Sequence, residues 1–288
     1  LSLCPRAIVL PPRHKLYHTY SQRVMSLLRA VTGLVEQVSI DEAYLDLTDQ
    51  VAAWEEGVAV AHDLRARVRQ EAGLSASLGV ATNKLVAKVA SDRDKPGGLT
   101  VVQPGDEASF LAPLPVRALW GVGPVTAESL AQMGVERIGD LAQLPEGALR
   151  ERFGRHGAHM ARQAQGIDAR AVVTERETKS ISQETTFERD LVDAKALRGQ
   201  LWELSQGVAQ RLQRAELAAG TVAIKLRYAD FSTLTRQTTL AIPTNEERLI
   251  YRTALALFKR AWERGRPVRL LGVTGRQLCA PVGQLPLF

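Results

Sequence analysis

Apolar positions recur at helical spacing over residues 14–31, at Leu16, Tyr20, Val24, Leu27 and Leu28, and predict an amphipathic helix. The pattern then switches to alternation. Val38 and Ile40 precede an acidic pair and Tyr44, Leu45 and Leu47 follow it, which predicts two short strands turning at Asp41-Glu42. Thr48 or Asp49 is placed to cap a long helix that runs to about Glu71. A strand over 75–81, a helix over 83–93 and a strand over 99–102 complete an α/β layer. From 106 to 167 no strand pattern survives, and Pro113, Pro115, Pro124 and Pro145 punctuate short helices. A polar linker occupies 168–179. Beyond it, strands over 180–188, 220–230, 232–242 and 268–276 interleave with helices over 194–216 and 246–263. That order, βαββαβ, predicts a ferredoxin-like split arrangement with two helices on one face of a sheet. The fold class is therefore α+β, in several domains.

Composition narrows the options. The 288 residues, 45% of them hydrophobic and 24% charged, suffice for two or three small cores. Cys4 and Cys279 stand at opposite ends without metal-site spacing, which argues against a disulfide framework or zinc and for a reducing cytoplasm. No apolar run reaches the roughly 20 residues that span a bilayer. Residues 1–170 balance 19 basic against 19 acidic side chains, while 171–288 hold 18 against 12, so the whole excess of +6 lies in the last part. A basic C-terminal third is the footprint of a polyanion-binding module.

The chemistry concentrates in a few segments. A bare Asp-Glu pair reads as a solvated acidic turn, but at the tip of an apolar hairpin two adjacent carboxylates repel and call for a divalent cation. In SLGVATNKLVAKVASD, followed by KPGG, Asn83 is placed to cap a helix, and Lys88 and Lys95 bring positive charge toward that turn. Lysine suits a triphosphate because it is a compact point charge. Gly121 and Gly123 in LWGVGPVTA form a GxG turn opening a helix, whose N–H groups can grip phosphate without reading bases. In the last domain Lys225 and Arg227 lie two apart on one strand, with Thr233, Thr235 and Arg236 on the next, predicting a basic, hydroxyl-lined face. The chain ends in Gln284, Leu285, Pro286, Leu287 and Phe288, an apolar terminus suited to a groove on a partner.

SIDEAYLDLT resembles the second catalytic motif of Y-family (translesion) DNA polymerases almost letter for letter, and the later segments resemble that family in order. The resemblance implies a partial palm over 1–105, with the end of the fingers at 1–12, and a helix-hairpin-helix thumb over 106–170. A linker at 171–178, a little finger over 179–280 and a clamp-binding tail at 281–288 would follow. It implies that Asp41 and Glu42 are catalytic and bind two Mg²⁺ ions, and that Lys95 contacts the incoming nucleotide's phosphates. Lys84 and Lys88 are secondary candidates. Asp46 is expected to be structural, and Trp120 to pack rather than stack on a base.

By the same resemblance, Gly121, Gly123, Lys179, Ser180, Lys225, Arg227, Thr233, Thr235 and Arg236 contact primer-template DNA, and Gln284, Leu285, Leu287 and Phe288 bind the sliding clamp. Deoxynucleoside triphosphates are the substrates, and a monomer is expected. Family members begin with a palm strand bearing another metal-binding Asp, then a bulky residue and small fingers. None of these precedes Leu1, which is not an initiator Met, so the chain as given is expected to polymerise poorly or not at all. A non-catalytic scaffold that binds DNA and clamp is the alternative. A helix-hairpin-helix nuclease would explain residues 119–127 but not the acidic hairpin or the βαββαβ domain.

Overall fold

The computed structural model describes residues 4–175 and 177–281. The chain divides into two compact units, Leu1–Glu175 and Arg176–Phe288. The tail residues Gln284, Leu285, Leu287 and Phe288 lie outside the described residues.

The first unit opens with α1 (His14–Arg29), then the antiparallel hairpin β1 (Val35–Gln37) and β2 (Ala43–Leu45). Helix α2 (Trp54–Arg67) runs into a π-helical turn, Val68–Ala72. Strand β3 (Leu78–Val80) pairs in parallel with β4 (Leu99–Val101), and α3 (Lys84–Arg93) connects them. The layer expected from the alternation is thus built from two separate strand pairs. Five further helices follow: α4 (Glu107–Leu111), α5 (Pro124–Ala131), α6 (Ile138–Gln143), α7 (Glu146–Phe153) and α8 (Arg155–Ala164).

Two cores hold this unit. Met25, Leu27, Leu28, Val35, Leu64 and Val68 join α1, β1 and α2. A second cluster runs without a break from Leu85, Val86, Val89 and Ala90 of α3 into Leu111, Leu130, Ile138, Leu141, Leu149 and Met160 of the helical segment. The domain boundary expected at 105 therefore crosses a shared core. Two sequence expectations change. Leu16 and Tyr20 are exposed, so α1 buries only its later turns, through Ser21, Met25, Leu27 and Leu28. Helix α2 begins at Trp54 without a side-chain cap, because Asp46 takes the Thr48 N–H (2.9 Å) and hydroxyl (2.6 Å) and turns the chain there instead.

The second unit follows the expected element order: β5 (Ser180–Leu191), α9 (Ala194–Arg214), β6 (Ala218–Tyr228), β7 (Thr233–Thr244), α10 (Glu247–Ala261) and β8 (Val268–Cys279). All pairings are antiparallel, in the order β5-β8-β6-β7. The two crossovers are each split by one strand, and the second and fourth strands occupy the centre. Leu197, Leu201, Val208 and Leu212 of α9 and Ile250, Ala254 and Phe258 of α10 pack on Val222, Ile224, Leu226, Leu271 and Val273 of the sheet. That alternation buries one face and leaves the other to polar residues.

Gly79 fixes how closely β3 approaches α3: a Cβ there would collide with the Ala87 carbonyl and stand 2.6 Å from the Ser91 nitrogen. Gly147, in α7, faces open space. Gly79→Ala is expected to lower stability by about 1–3 kcal/mol through overpacking. Gly147→Ala, relieved of glycine's backbone entropy, should be neutral or stabilising by up to about 1 kcal/mol. Chemical denaturation of both variants checks the contrast.

Candidate active site and nucleic-acid interface

The acidic pair sits in the β1–β2 turn. The ladder Val35↔Leu45, Glu36↔Tyr44, Gln37↔Ala43 closes the hairpin, and the Val38 and Ser39 N–H groups both donate to the Glu42 carbonyl (2.9 and 3.2 Å). Inside this turn the Ser39 hydroxyl donates to Asp41 Oδ1 (2.6 Å) and accepts from the Asp41 N–H (3.2 Å). Asp41 is exposed and Glu42 half-buried. Glu42 accepts from Lys88 Nζ at 2.6 Å. Asp46 bonds the Thr48 hydroxyl and N–H, and these bonds hold its carboxyl below the usual range.

Helix α3 supplies the positive charge. Asn83 caps it, accepting from the Val86 N–H (3.0 Å) while its amide donates to the Gly166 carbonyl (2.8 Å). Asp168 accepts from the Leu85 N–H (3.1 Å), so two side chains satisfy the first free donors of the helix. Burial pushes the Asp168 carboxyl up, but the Arg170 guanidinium at 2.7 Å and the amide bonds outweigh it and leave it below the usual range. From this start the helix presents Lys84, Lys88 and Asp92 one turn apart.

Lys84 Nζ meets the buried Glu36 (2% exposed) at 2.5 Å and donates to the Ala171 carbonyl at 2.9 Å. Glu36 also accepts from the Val173 N–H (2.9 Å), so the stretch expected to open a linker at 171 is tied to the hairpin. Lys84 is thus held by the protein on both sides. Lys88 bridges Glu42 and Asp92, and Lys95 Nζ lies 2.5 Å from Asp92 Oδ1. For Lys88, burial pulls the ammonium down, yet Glu42 and Asp92 more than restore it and raise it above the usual lysine value. Ion pairs therefore join Glu42, Lys88, Asp92 and Lys95 in one chain, and Asp41 stands beside Glu42 in the turn. Asp92 was not singled out from the sequence, although its place one turn after Lys88 was the available signal.

The GxG turn opens α5 as expected: Gly121 adopts φ +93°, Gly123 is the N-cap and Pro124 the first helical residue. The Gly121 and Gly123 N–H groups donate to no protein oxygen among the described residues. Trp120 is 63% exposed, with the Arg170 guanidinium over its ring at 5.6 Å, rather than packed in a core.

In the second unit, the register aligns Ser180, Glu184, Lys225, Arg227, Thr233 and Thr235 on the face away from the helices. Glu184 and Lys225 flank Gly272 of β8 from either side, and with no side chain between them they pair at 3.0 Å. Arg227 Nε donates to the Thr233 hydroxyl (2.9 Å). Lys179 is exposed just before β5. Arg236 pairs opposite Ile224, a residue of the helix-side core, so it lies on the other face and leaves the expected set. In its place stands Arg276 of β8, opposite both Ser180 and Thr221 and donating to Gln237 Oε1 (3.1 Å). Sequence reasoning missed Arg276, although its alternation with Leu271 and Val273 marked it as outward-facing.

Family models match in chain order: the impB/mucB/samB family at residues 1–92, the IMS family HHH motif at 104–135 and the impB/mucB/samB family C-terminal domain at 178–287. A DNA polymerase IV of Dehalococcoides mccartyi (strain CBDB1) is 39% identical over 287 residues, which cover 99% of this chain and 74% of the relative. A DNA polymerase IV of Methanoculleus marisnigri (strain ATCC 35101 / DSM 1498 / JR1) is 44% identical, covering 94% and 75%. Among solved structures, the Y-family DNA polymerase chimera Dbh-Dpo4(243-245)-Dbh superposes with a TM-score of 0.85 at 25% identity, covering 97% of this chain and 81% of that one. The insertion ternary complex of Dbh DNA polymerase, also 25% identical, gives 0.64, covering 97% and 81%. Relatives at 39% and 44% identity, matched over almost the whole of this chain and about three quarters of their own length, show that the chain belongs to the Y-family of translesion DNA polymerases, of the DNA polymerase IV type.

Proposed function

We propose that Asp41 and Glu42 are the catalytic carboxylates for template-directed addition of deoxynucleotides to a primer 3′-end, and that Lys95 binds the incoming triphosphate. One observation carries this reading. Helix α3 delivers Lys88 to within 2.6 Å of Glu42 and, through Asp92, links Lys95 to the same acidic turn. Carboxylates for cations and lysines for phosphates thus converge from separate elements.

Y-family DNA polymerases depend on divalent metal, and the residues here fit such an ion. Asp41 Oδ2 accepts no hydrogen bond among the described residues. Mg²⁺ takes one or two carboxylates, which Asp41 and Glu42 can supply, and completes its shell with phosphates and water. Asp41 and Glu42 would hold two Mg²⁺ ions, which when bound activate the attacking hydroxyl and neutralise the leaving phosphates. Ser39 orients Asp41, and Lys88 fixes the Glu42 carboxylate against α3.

Ser180, Lys225, Arg227, Thr233, Thr235 and Arg276 form a face for DNA phosphates, with Lys179 at its edge and the N–H groups of Gly121 and Gly123 as a second grip. Gln284, Leu285, Leu287 and Phe288 bind the sliding clamp. In this reading the protein works as a cytoplasmic monomer; no helix among the described residues is long and apolar enough to cross a membrane.

Primer extension by the full-length protein with Mg²⁺ and four deoxynucleotides tests the carboxylates. Asp41→Asn and Glu42→Gln should each lower the rate by about a thousandfold or more; unchanged rates would favour a DNA-binding scaffold. Arg227→Ala and Arg276→Ala should each weaken duplex binding and reduce the salt slope by about one, whereas Arg236→Ala should leave the slope in place. Fluorescence anisotropy across a salt series measures this. Deleting 284–288 should abolish clamp binding in surface plasmon resonance and spare DNA affinity; retained clamp affinity would refute the tail's assignment.

A further inference from the structure

Glu42, Lys88, Asp92 and Lys95 form a chain of alternating charge in which both inner members are shared. Lys88 Nζ lies 2.6 Å from Glu42 Oε1 and 3.3 Å from Asp92 Oδ2. Asp92 in turn holds Lys95 Nζ at 2.5 Å through Oδ1, which also accepts from Lys88 Nζ at 3.4 Å. Each link is partly solvated, with Asp92 46% and Lys95 52% exposed. Pairs of that kind are worth little individually, so their partners can exchange. The central pair is placed for such an exchange: Lys88 and Asp92 stand one turn apart on α3, and Glu42 reaches Lys88 from the hairpin.

Two ligands would compete for the ends of this chain, on the reading of Asp41, Glu42 and Lys95 given above. A divalent cation on Glu42 Oε1 competes with the Lys88 ammonium for the same oxygen, because two cations a few ångströms apart repel. A triphosphate on Lys95 competes with Asp92 for the same ammonium.

We propose that Asp92 couples the two events by taking Lys88 over from Glu42 when Lys95 is drawn to phosphate. Relieved of Lys95, Asp92 carries an uncompensated negative charge and pulls Lys88 toward itself. Glu42 Oε1 is then open to the divalent cation. Only ion pairs change, and no proton or covalent bond is moved. Asp92 is a positioning residue, acting through Lys88 on the catalytic carboxylate.

Mn²⁺ binding to the full chain, followed by electron paramagnetic resonance without nucleotide, tests this. Lys95→Met stands in for the capture of Lys95 by phosphate and should tighten Mn²⁺ binding by about threefold or more. The gain should vanish in an Asp92→Asn background and persist in Asp92→Glu, which keeps the carboxylate. Lys88→Met should tighten binding whether or not Asp92 is present. Equal gains from Lys95→Met with Asp92 and with Asn at that position would overturn the coupling, since charge acting at a distance would suffice. Mn²⁺ binding that ignores Asp41→Ala would instead overturn the metal-site reading itself.

Discussion

A helix that buries Leu85, Val86, Val89 and Ala90 on one side has one orientation left for Lys84, Lys88 and Asp92, which follow one another a turn apart on its other edge. Rotating α3 would expose Leu85, Val86 and Val89, which each contribute about 1.5–3 kcal/mol by burial. It would also drag charges toward an apolar core, at a cost of several kcal/mol per ion. The packing of the helical segment and the placing of the charged stripe are therefore one constraint. Because the same core reaches Leu111, Ile138 and Met160, the small helices behind α3 help to aim its lysines.

The start of α3 is held as firmly as its side. Asn83 and Asp168 satisfy its first N–H groups, and Lys84 is locked between the buried Glu36 and the Ala171 carbonyl. Removing one partner of such a pair typically costs about 3–5 kcal/mol, because the other charge is left buried without compensation. Glu36 stands directly opposite Tyr44 in the hairpin that carries Asp41 and Glu42. The acidic turn and the lysine helix are thus registered by a buried ion pair. Arg170, gripped by Asp168, then lies over Trp120 at the mouth of the GxG turn.

The sequence was most readable where the signal was local. The hairpin around Asp41-Glu42, the Asn83 cap, the Gly121-Val122-Gly123 turn and the order βαββαβ each rest on residues within one element or turn. What failed depended on competition or register. Thr48 and Asp49 looked like helix caps, but Asp46 captured Thr48 first. Leu16 and Tyr20 share a helical stripe with Val24, yet periodicity states which positions share a face and not whether a partner covers it. The strand order of the second unit is a long-range property that element order leaves open. Arg236 is different, because a period of two already separates it from Thr235, and the alternation that excludes it also selects Arg276. Asp92 escaped notice because its meaning lies in two lysines, one of them beyond the end of the helix.

The polar face of the second unit is made largely from β-branched side chains. Thr186, Thr233, Thr235, Thr239 and Thr274 point the same way as Lys225, Arg227 and Arg276. Threonine is stiff about χ1, so its hydroxyl is already ordered before anything arrives. Long cationic side chains must surrender about 0.5–1.5 kcal/mol of rotamer freedom each on immobilisation. Arg227 and Arg276 are already hydrogen-bonded to Thr233 and Gln237, which spends part of that entropy during folding. Such a surface meets a ligand pre-set, and because a hydroxyl both donates and accepts, it can slide from one acceptor to the next without choosing among them.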